Sequence, residues 1–371
     1  METKVNRLIP FKATHPGEVL REELKARGIK QKAFAGQINM QPTHLSELIK
    51  GKRNITSDIA LRLENALGIP YNNWMNLQSG YDYNCKMIAK RDEEEAESMR
   101  MERAYREMLN LNYLYKKFNI KHSSSGERIK ALVERIAFDP LNLPKIEVCI
   151  AGYFKRSDKL IIDDKNMRTW LLLAWDSIRK GSTAKAYSQG NALRAAKEIA
   201  RMANDETLSI QGIKDCLSTY GIIYVEIEKL PHTPIDAYST KINEKMAIAV
   251  TYRHNDLDKL AFDILHELCH LDRHITNETS SFISIERGKY SENPQEHEAN
   301  KFAQDALIPP DVWNKILQVR SEGLNPYIVI RSIAHEASVH GISKTIAVAR
   351  YKHDTNFYET NAYRSPKIFN S

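Results

Sequence analysis

Only four cysteines occur in 371 residues, Cys85, Cys149, Cys216 and Cys269, and no two are in CxxC spacing. That scatter indicates neither a disulfide framework nor a cysteine zinc site, and it suits a reducing compartment. There is no run of eighteen apolar residues and no signal-peptide-like apolar stretch near the first residues. The expectation is a soluble, cytoplasmic protein with no membrane partner. Internal repeats and low-complexity tracts are absent as well, which sets aside repeat architectures.

What the chain does have is enough apolar residue, 42%, to build cores, and a length beyond the usual single core, so two or three domains are expected. The net charge of +7 is unevenly spread. Residues 1–80 hold twelve Lys and Arg against seven Asp and Glu, so most of the excess sits in the first fifth. A basic N-terminal module points to a polyanion, most often nucleic acid.

The densest chemistry lies in Leu257–Leu271, LDKLAFDILHELCHL, which spells His266-Glu267-Leu268-Cys269-His270, an HExxH pattern. Leu257, Leu260, Ala261, Ile264, Leu265, Leu268 and Leu271 follow helical spacing. At about 100° per residue, His266, Glu267 and His270 fall on the opposite side from that stripe. Two imidazoles one turn apart can share one ion with a carboxylate beside them, the arrangement zinc chemistry needs. The competing reading is an accidental, solvated His/Glu face.

The first eighty residues read as short helices: one from His15, capped by Thr14 and turning Val19, Leu20 and Leu24 inward, then Gln31–Ile38, Pro42–Lys50 and Ser57–Leu67. Gly51 and Gly68 stop the last two, and a tight turn at Asn39-Met40-Gln41 joins the second to the third. Two short helices across a three-residue turn form a helix-turn-helix. The helix after the turn offers Gln41, Thr43, His44 and Glu47 to base edges, with Lys50, Lys52 and Arg53 suited to phosphates. The alternative is a helical module that docks proteins only.

These residues also carry a resemblance. Between residues 11 and 83, HPGEVL, LSELIKGKRNIT, ALRLENALG and WMNLQ look like the DNA-binding domain of the HigA antitoxin group within the XRE repressor class. The resemblance implies a lambda-repressor-like domain and a homodimer on palindromic operator DNA. It further implies control of an operon shared with a toxin of the HigB ribonuclease type.

From Asn84 the composition turns to charge, and Met101, Ala104, Met108, Leu111, Tyr115 and Phe118 form a seam at spacings of three and four. It is too short for a coiled coil, so packing on a neighbouring domain is expected, with a dimer helix as the alternative. Lys121–Gly126 is the best flexible break in the chain and the first candidate boundary. Helices are expected at Met167–Lys180, Ala192–Met202 and Leu208–Leu217, with no chemical motif among them.

At Gly221 the period changes to that of strands: Ile222–Ile227, then Ala237–Lys241 and Met246–Tyr252, a small sheet to receive the apolar stripe of the HExxH helix. Two histidines need a third ligand, and the helix opened by Pro294 supplies Glu296, with Asn300 one turn on to orient a histidine ring. Glu296 reads equally well as half of a capping box with Asn293, and Glu298 is the fallback ligand. His297, Tyr290, His335 and His340 are the candidates for stabilising an oxyanion.

Thr233–Ala237, AFDILHELCHL and EHEANKFAQDALIPP resemble the ImmA/IrrE metallopeptidases over roughly residues 205–350. That resemblance implies a zincin fold binding Zn2+ through His266, His270 and an acidic residue of EHEAN, which favours Glu296, with Glu267 as catalytic acid/base. Cys269 stands where such proteins often carry Gly, and Asn300 where they often carry Asp.

The expected fold is mainly α: a helix-turn-helix domain (1–83), a helical connector (84–125), a helical middle region (126–204), an α+β zincin-like domain with a small sheet (205–355) and a tail (356–371). The expected function is a DNA-binding regulator or antitoxin whose zinc peptidase domain cleaves a regulatory protein, a peptide segment or itself. The alternative is a non-enzymatic antitoxin or repressor whose zincin domain is a sensor or toxin-binding module.

Overall fold

The computed structural model describes residues 8–136, 163–242, 244–251, 256–275, 281–285, 294–318, 325–358 and 362–367. These fall into two compact units. One contains residues up to Arg103 together with His122–Ile129, and the other contains Ala104–Lys121 with the described residues from Lys130 onward.

The first unit opens with α1 (Pro16–Ala26), α2 (Gln31–Gln37), α3 (Pro42–Ile49) and α4 (Ser57–Leu67). Leu20, Leu24, Phe34, Leu45, Leu48, Leu63 and Trp74 make its core. Each such side chain contributes about 1.5–3 kcal/mol on burial. The Thr56 hydroxyl accepts from the Ile59 amide at the start of α4, and Gly68, at φ 70°, ends it in a left-handed turn that a Cβ would disfavour. Arg62 donates to the carbonyl of Asn39 at 2.8 Å and to that of Ile38 at 3.3 Å, which pins the turn between α2 and α3.

Two expectations for α1 need correction. Its cap is His15, not Thr14: the imidazole Nδ1 accepts from the Gly17 amide at 2.9 Å. Burial lowers the His15 pKa against the pull of Glu18, Asn54 and Asp82, so the ring stays neutral and able to accept. Val19 is exposed, because the buried stripe runs through Pro16, Gly17, Leu20 and Leu24.

Tyr71–Met108 forms one 38-residue helix, α5, which passes through residue 84 without a break. Near its start the buried Gln78 accepts from the Ile55 amide at 2.8 Å and donates to Asp82 at 2.9 Å. The seam expected over 101–118 is not continuous. The Asn110 side chain caps a new helix, α6 (Leu111–Lys117), and burial shifts to Tyr105, Leu109, Leu111 and Leu114. Met101, Ala104, Met108, Tyr115 and Phe118 are only half-buried. Ser125 and Gly126 open α7 (Ser125–Arg135), and their amides donate to the Glu95 carboxylate at 3.1 and 3.3 Å. Of the expected break at Lys121–Gly126, only residues 121–124 lie outside the helices.

The second unit is built on a mixed sheet, order β1-β3-β2-β4, from β1 (Ile222–Glu226), β2 (Ile235–Ile242), β3 (Lys245–Val250) and β4 (Ser281–Ile285). β1 and β3 are parallel, with Ile222 opposite Met246, and β2 runs antiparallel to both β3 and β4. Alternate residues face opposite ways. Ile223 and Ala247 pack with Ile178 of α8 (Asp164–Lys180). Ile222, Ile248 and Val250 pack into the main core on the other face, with α9 (Asn191–Asn204), α10 (Ile210–Thr219) and α11 (Leu257–Cys269). Covering both faces explains why β1 and β3 read as nearly continuous apolar runs. Gly221, at φ 76°, turns α10 into β1 where a Cβ would run into the Tyr187 backbone.

α12 (Pro294–Leu307), α13 (Pro310–Leu317), α14 (Pro326–Val339) and α15 (Lys344–Thr355) complete the unit. α11 has no side-chain cap of its own. Its first amides are met by a later segment instead: Leu257 N–H donates to the Pro366 carbonyl at 3.1 Å and Asp258 N–H to the Ser365 hydroxyl at 3.0 Å. Lys367 pairs with Asp256 at 2.6 Å beside them.

Candidate metal centre and nucleic-acid interface

α11 forms because its apolar residues recur on one side, and Leu260, Ala261, Ile264, Leu265 and Leu268 are all buried in the main core. His266 from its last turn and His270 from the residue just after it reach towards α12, where Pro294 sets the first turn and Glu296 follows within it. The His266 and His270 Nε2 atoms lie 3.0 Å apart. Glu296 reaches both, Oε2 to His266 at 3.2 Å and Oε1 to His270 at 3.4 Å. The three are buried, with relative exposures of 6%, 0% and 7%.

Zinc–ligand bonds of about 2.0–2.1 Å at tetrahedral angles would space neighbouring donors by about 3.3 Å. The three separations here bracket that spacing, and two imidazoles with one carboxylate are a donor set zinc accepts. The residues therefore fit the ion. Their electrostatics agree. Burial opposes charge on His266, but the hydrogen bond to Glu296 and the carboxylates of Glu267, Glu296 and Asp263 outweigh it and raise its pKa. Burial also favours neutral Glu296, yet hydrogen bonds and charge from His266 and His270 hold that carboxyl at about 2. The cluster is arranged around a positive charge at its centre, a proton or a metal ion.

Asn300, one turn after Glu296, places Oδ1 3.1 Å from His266 Nδ1. With that nitrogen donating, Nε2 is left bare towards the cluster. Glu267 is fully buried next to His266. Cys269 is buried too, and burial pushes its thiol up to about 12. Glu298 stays outside the cluster, bonded to Arg273 at 2.6 Å and His274 at 3.1 Å. His297, His335 and His340 are exposed, while Tyr290 and Asn293 lie outside the described residues.

The helical turn just after the HExxH pattern was not anticipated from sequence. His270–His274 forms a π-turn, closed by Ile275 N–H on the His270 carbonyl at 2.9 Å, and His274 Nδ1 lies 2.8 Å from His270 Nδ1. The signal available was a histidine every fourth residue, at 266, 270 and 274.

In the first unit, Gln41, Thr43, Lys50, Lys52 and Arg53 are exposed, and His44 and Glu47 half-exposed. Glu47 accepts from Arg53 at 3.3 Å. Leu45, Leu48 and Ile49 fill the core beneath. The structure thus presents a polar surface on α3, with the exposed cations Lys50, Lys52 and Arg53 just beyond its end.

Residues 20–73 match the helix-turn-helix family, and residues 220–350 match the IrrE N-terminal-like domain, a peptidase family. The chain joins an XRE-type helix-turn-helix domain to an IrrE N-terminal-like domain. Over 71 residues it is 42% identical to virulence-associated protein I of Dichelobacter nodosus, which covers 19% of this chain and 66% of that protein. The chain thus spans just under two thirds of that relative's length. A HigA-family addiction module antidote protein from Coxiella burnetii is 32% identical, covering 22% of this chain and 94% of its own, with a TM-score of 0.21. The Pseudomonas aeruginosa antitoxin HigA, solved with the higBA promoter, is 30% identical over 22% of this chain and 90% of its own, also with a TM-score of 0.21. Among the described residues no helix is long and apolar enough to cross a membrane.

Proposed function

We propose that the chain is a cytoplasmic, operator-binding regulator of antitoxin type whose IrrE-like domain is a zinc-dependent endopeptidase. The observation that carries the peptidase half is the buried convergence of His266, His270 and Glu296 beside Glu267. His266, His270 and Glu296 would hold Zn2+. When bound, the ion would supply the acidification of a water and the polarisation of a scissile carbonyl. Glu267 takes a proton on its carboxylate from the attacking water and delivers it to the leaving amine nitrogen. Asn300 orients His266, and Glu267 is held in a buried position beside it.

The regulatory half is supported by the polar surface of α3, by the cations that follow it and by the helix-turn-helix family match. Gln41, Thr43, His44 and Glu47 meet base edges in the major groove, while Lys50, Lys52 and Arg53 meet phosphates. A homodimer on a palindromic operator and a HigB-like toxin as partner complete this reading. The substrate is a regulatory protein or this chain itself, cut within Lys121–Ser124, where the backbone lies outside the helices.

One observation favours a second reading. Glu267 and His270 have no exposed surface, which suits a zincin domain acting as a sensor or toxin-binding module without catalysis. Incubating purified protein with zinc, with and without toxin or operator DNA, beside Glu267→Gln, separates the two. Cleavage lost in Glu267→Gln supports the peptidase. Equal persistence of every chain under all conditions supports the sensor.

A further inference from the structure

His274 and Glu298 lie outside the HExxH pattern, and they meet directly behind its second histidine. His270 Nδ1 and His274 Nδ1 are 2.8 Å apart, and His274 Nε2 is 3.1 Å from Glu298 Oε2. The other Glu298 oxygen accepts from Arg273 Nη1 at 2.6 Å, and the Arg273 guanidinium rests 5.2 Å from the Phe302 ring centre. His270 is fully buried and His274 is 6% exposed, so the contact between their rings is made away from bulk water, whereas Glu298 meets Arg273 at the surface.

The hydrogen positions follow from what each atom can do. A carboxylate only accepts, so His274 Nε2 carries a hydrogen for Glu298. A neutral His274 then has a bare Nδ1. Two ring nitrogens 2.8 Å apart need one donor and one acceptor, so His270 Nδ1 donates. The remaining nitrogen of His270, Nε2, is left with its lone pair facing His266 Nε2 at 3.0 Å and Glu296 Oε1 at 3.4 Å. With His274 absent, the 2.8 Å contact that draws the hydrogen to His270 Nδ1 is lost, and a hydrogen on Nε2 instead would block coordination. We infer that Glu298 and His274 form a positioning relay that holds His270 in the tautomer a metal ion requires. The inference rests on the metal-centre reading. It also separates the two ligands: His266 is oriented by a neutral amide, Asn300, and His270 by an imidazole with a carboxylate behind it.

Full-length protein, stripped of metal, is titrated with zinc against a chromophoric chelator, and its Co2+ form is followed by visible absorption. Asparagine can set a carbonyl oxygen near the place of the histidine Nδ1, whereas phenylalanine keeps the ring and offers no acceptor. His274→Phe should weaken zinc binding by roughly 10–100-fold and alter the Co2+ bands. His274→Asn should restore most of the affinity. Glu298→Ala, at a half-exposed position that leaves the buried rings in place, should weaken binding by a smaller factor. His274→Phe binding zinc as the parent does, or Asn and Phe failing equally while Glu298→Ala matches the parent, would overturn the relay and leave the metal centre standing. A parent chain that takes up no zinc would overturn both.

Discussion

Changing Ser365 to alanine removes one of two groups that satisfy the first turn of α11. The Asp258 amide then loses its hydroxyl acceptor, while the Leu257 amide keeps the Pro366 carbonyl. Losing a side-chain cap costs about 0.5–2 kcal/mol, typically near 1. At about 1 kcal/mol the Asp258 amide should exchange with deuterium about fivefold faster. If the loss is felt by the whole unit, its melting temperature falls by about 2–4 °C. Zinc uptake should not change, because His266 lies about two and a half turns along the helix, beyond the reach of a frayed first turn. A stop codon in place of Ala362 removes both acceptors and the Lys367–Asp256 pair. That pair adds at most about 1 kcal/mol, since Lys367 is half-exposed, so the total is about 2–3 kcal/mol. Ser365→Thr keeps a hydroxyl and should behave as the parent. Hydrogen exchange read by mass spectrometry over residues 256–265, with thermal melting alongside, checks all three proteins. Unchanged exchange and melting in the truncated chain would refute the idea that this segment caps α11.

Glu296→Ala should abolish stoichiometric zinc uptake, measured by metal analysis after dialysis, because two imidazoles alone do not hold the ion. Lys50→Ala and Lys52→Ala should weaken operator binding by a similar factor on any sequence and reduce the salt slope by about 1 each, whereas Gln41→Ala should change sequence preference; binding titrations across a salt series separate the two. Thr56→Ala should cost about 1 kcal/mol in the first unit, read by denaturant unfolding. Burial holds the Cys216 and Cys269 thiols at about 12, so both should resist iodoacetamide at pH 8 until the protein is unfolded, as peptide mapping would show.

What could be read from sequence was local. α4 begins at Ser57 behind Thr56 and ends at Leu67 before Gly68, as its caps and spacing predict. The apolar stripe of α11 and the start of α12 were legible for the same reason: each is a short-range pattern. Contacts made at long range were not. Ser365 reaches α11 across 107 residues, and Glu298 approaches His274 across 24, with no periodicity to announce either. The seam over 101–118 failed because Asn110, an ordinary polar residue in the sequence, caps a new helix there. Local misreadings had local causes, as at His15, where a buried neutral imidazole took the role a hydroxyl was expected to fill.

The sheet with helices on both sides sets the smallest piece of the second unit that can be cut out and handled. The family match begins at residue 220, yet Ile178 of α8 covers Ile223 and Ala247 from the far side. A fragment spanning 220–350 would carry that apolar patch into solvent and would also lack Ser365 and Pro366 at the head of α11. Expression trials that keep to the family boundaries should give aggregates, and trials that start before Ala104 and run past Lys367 should give usable protein.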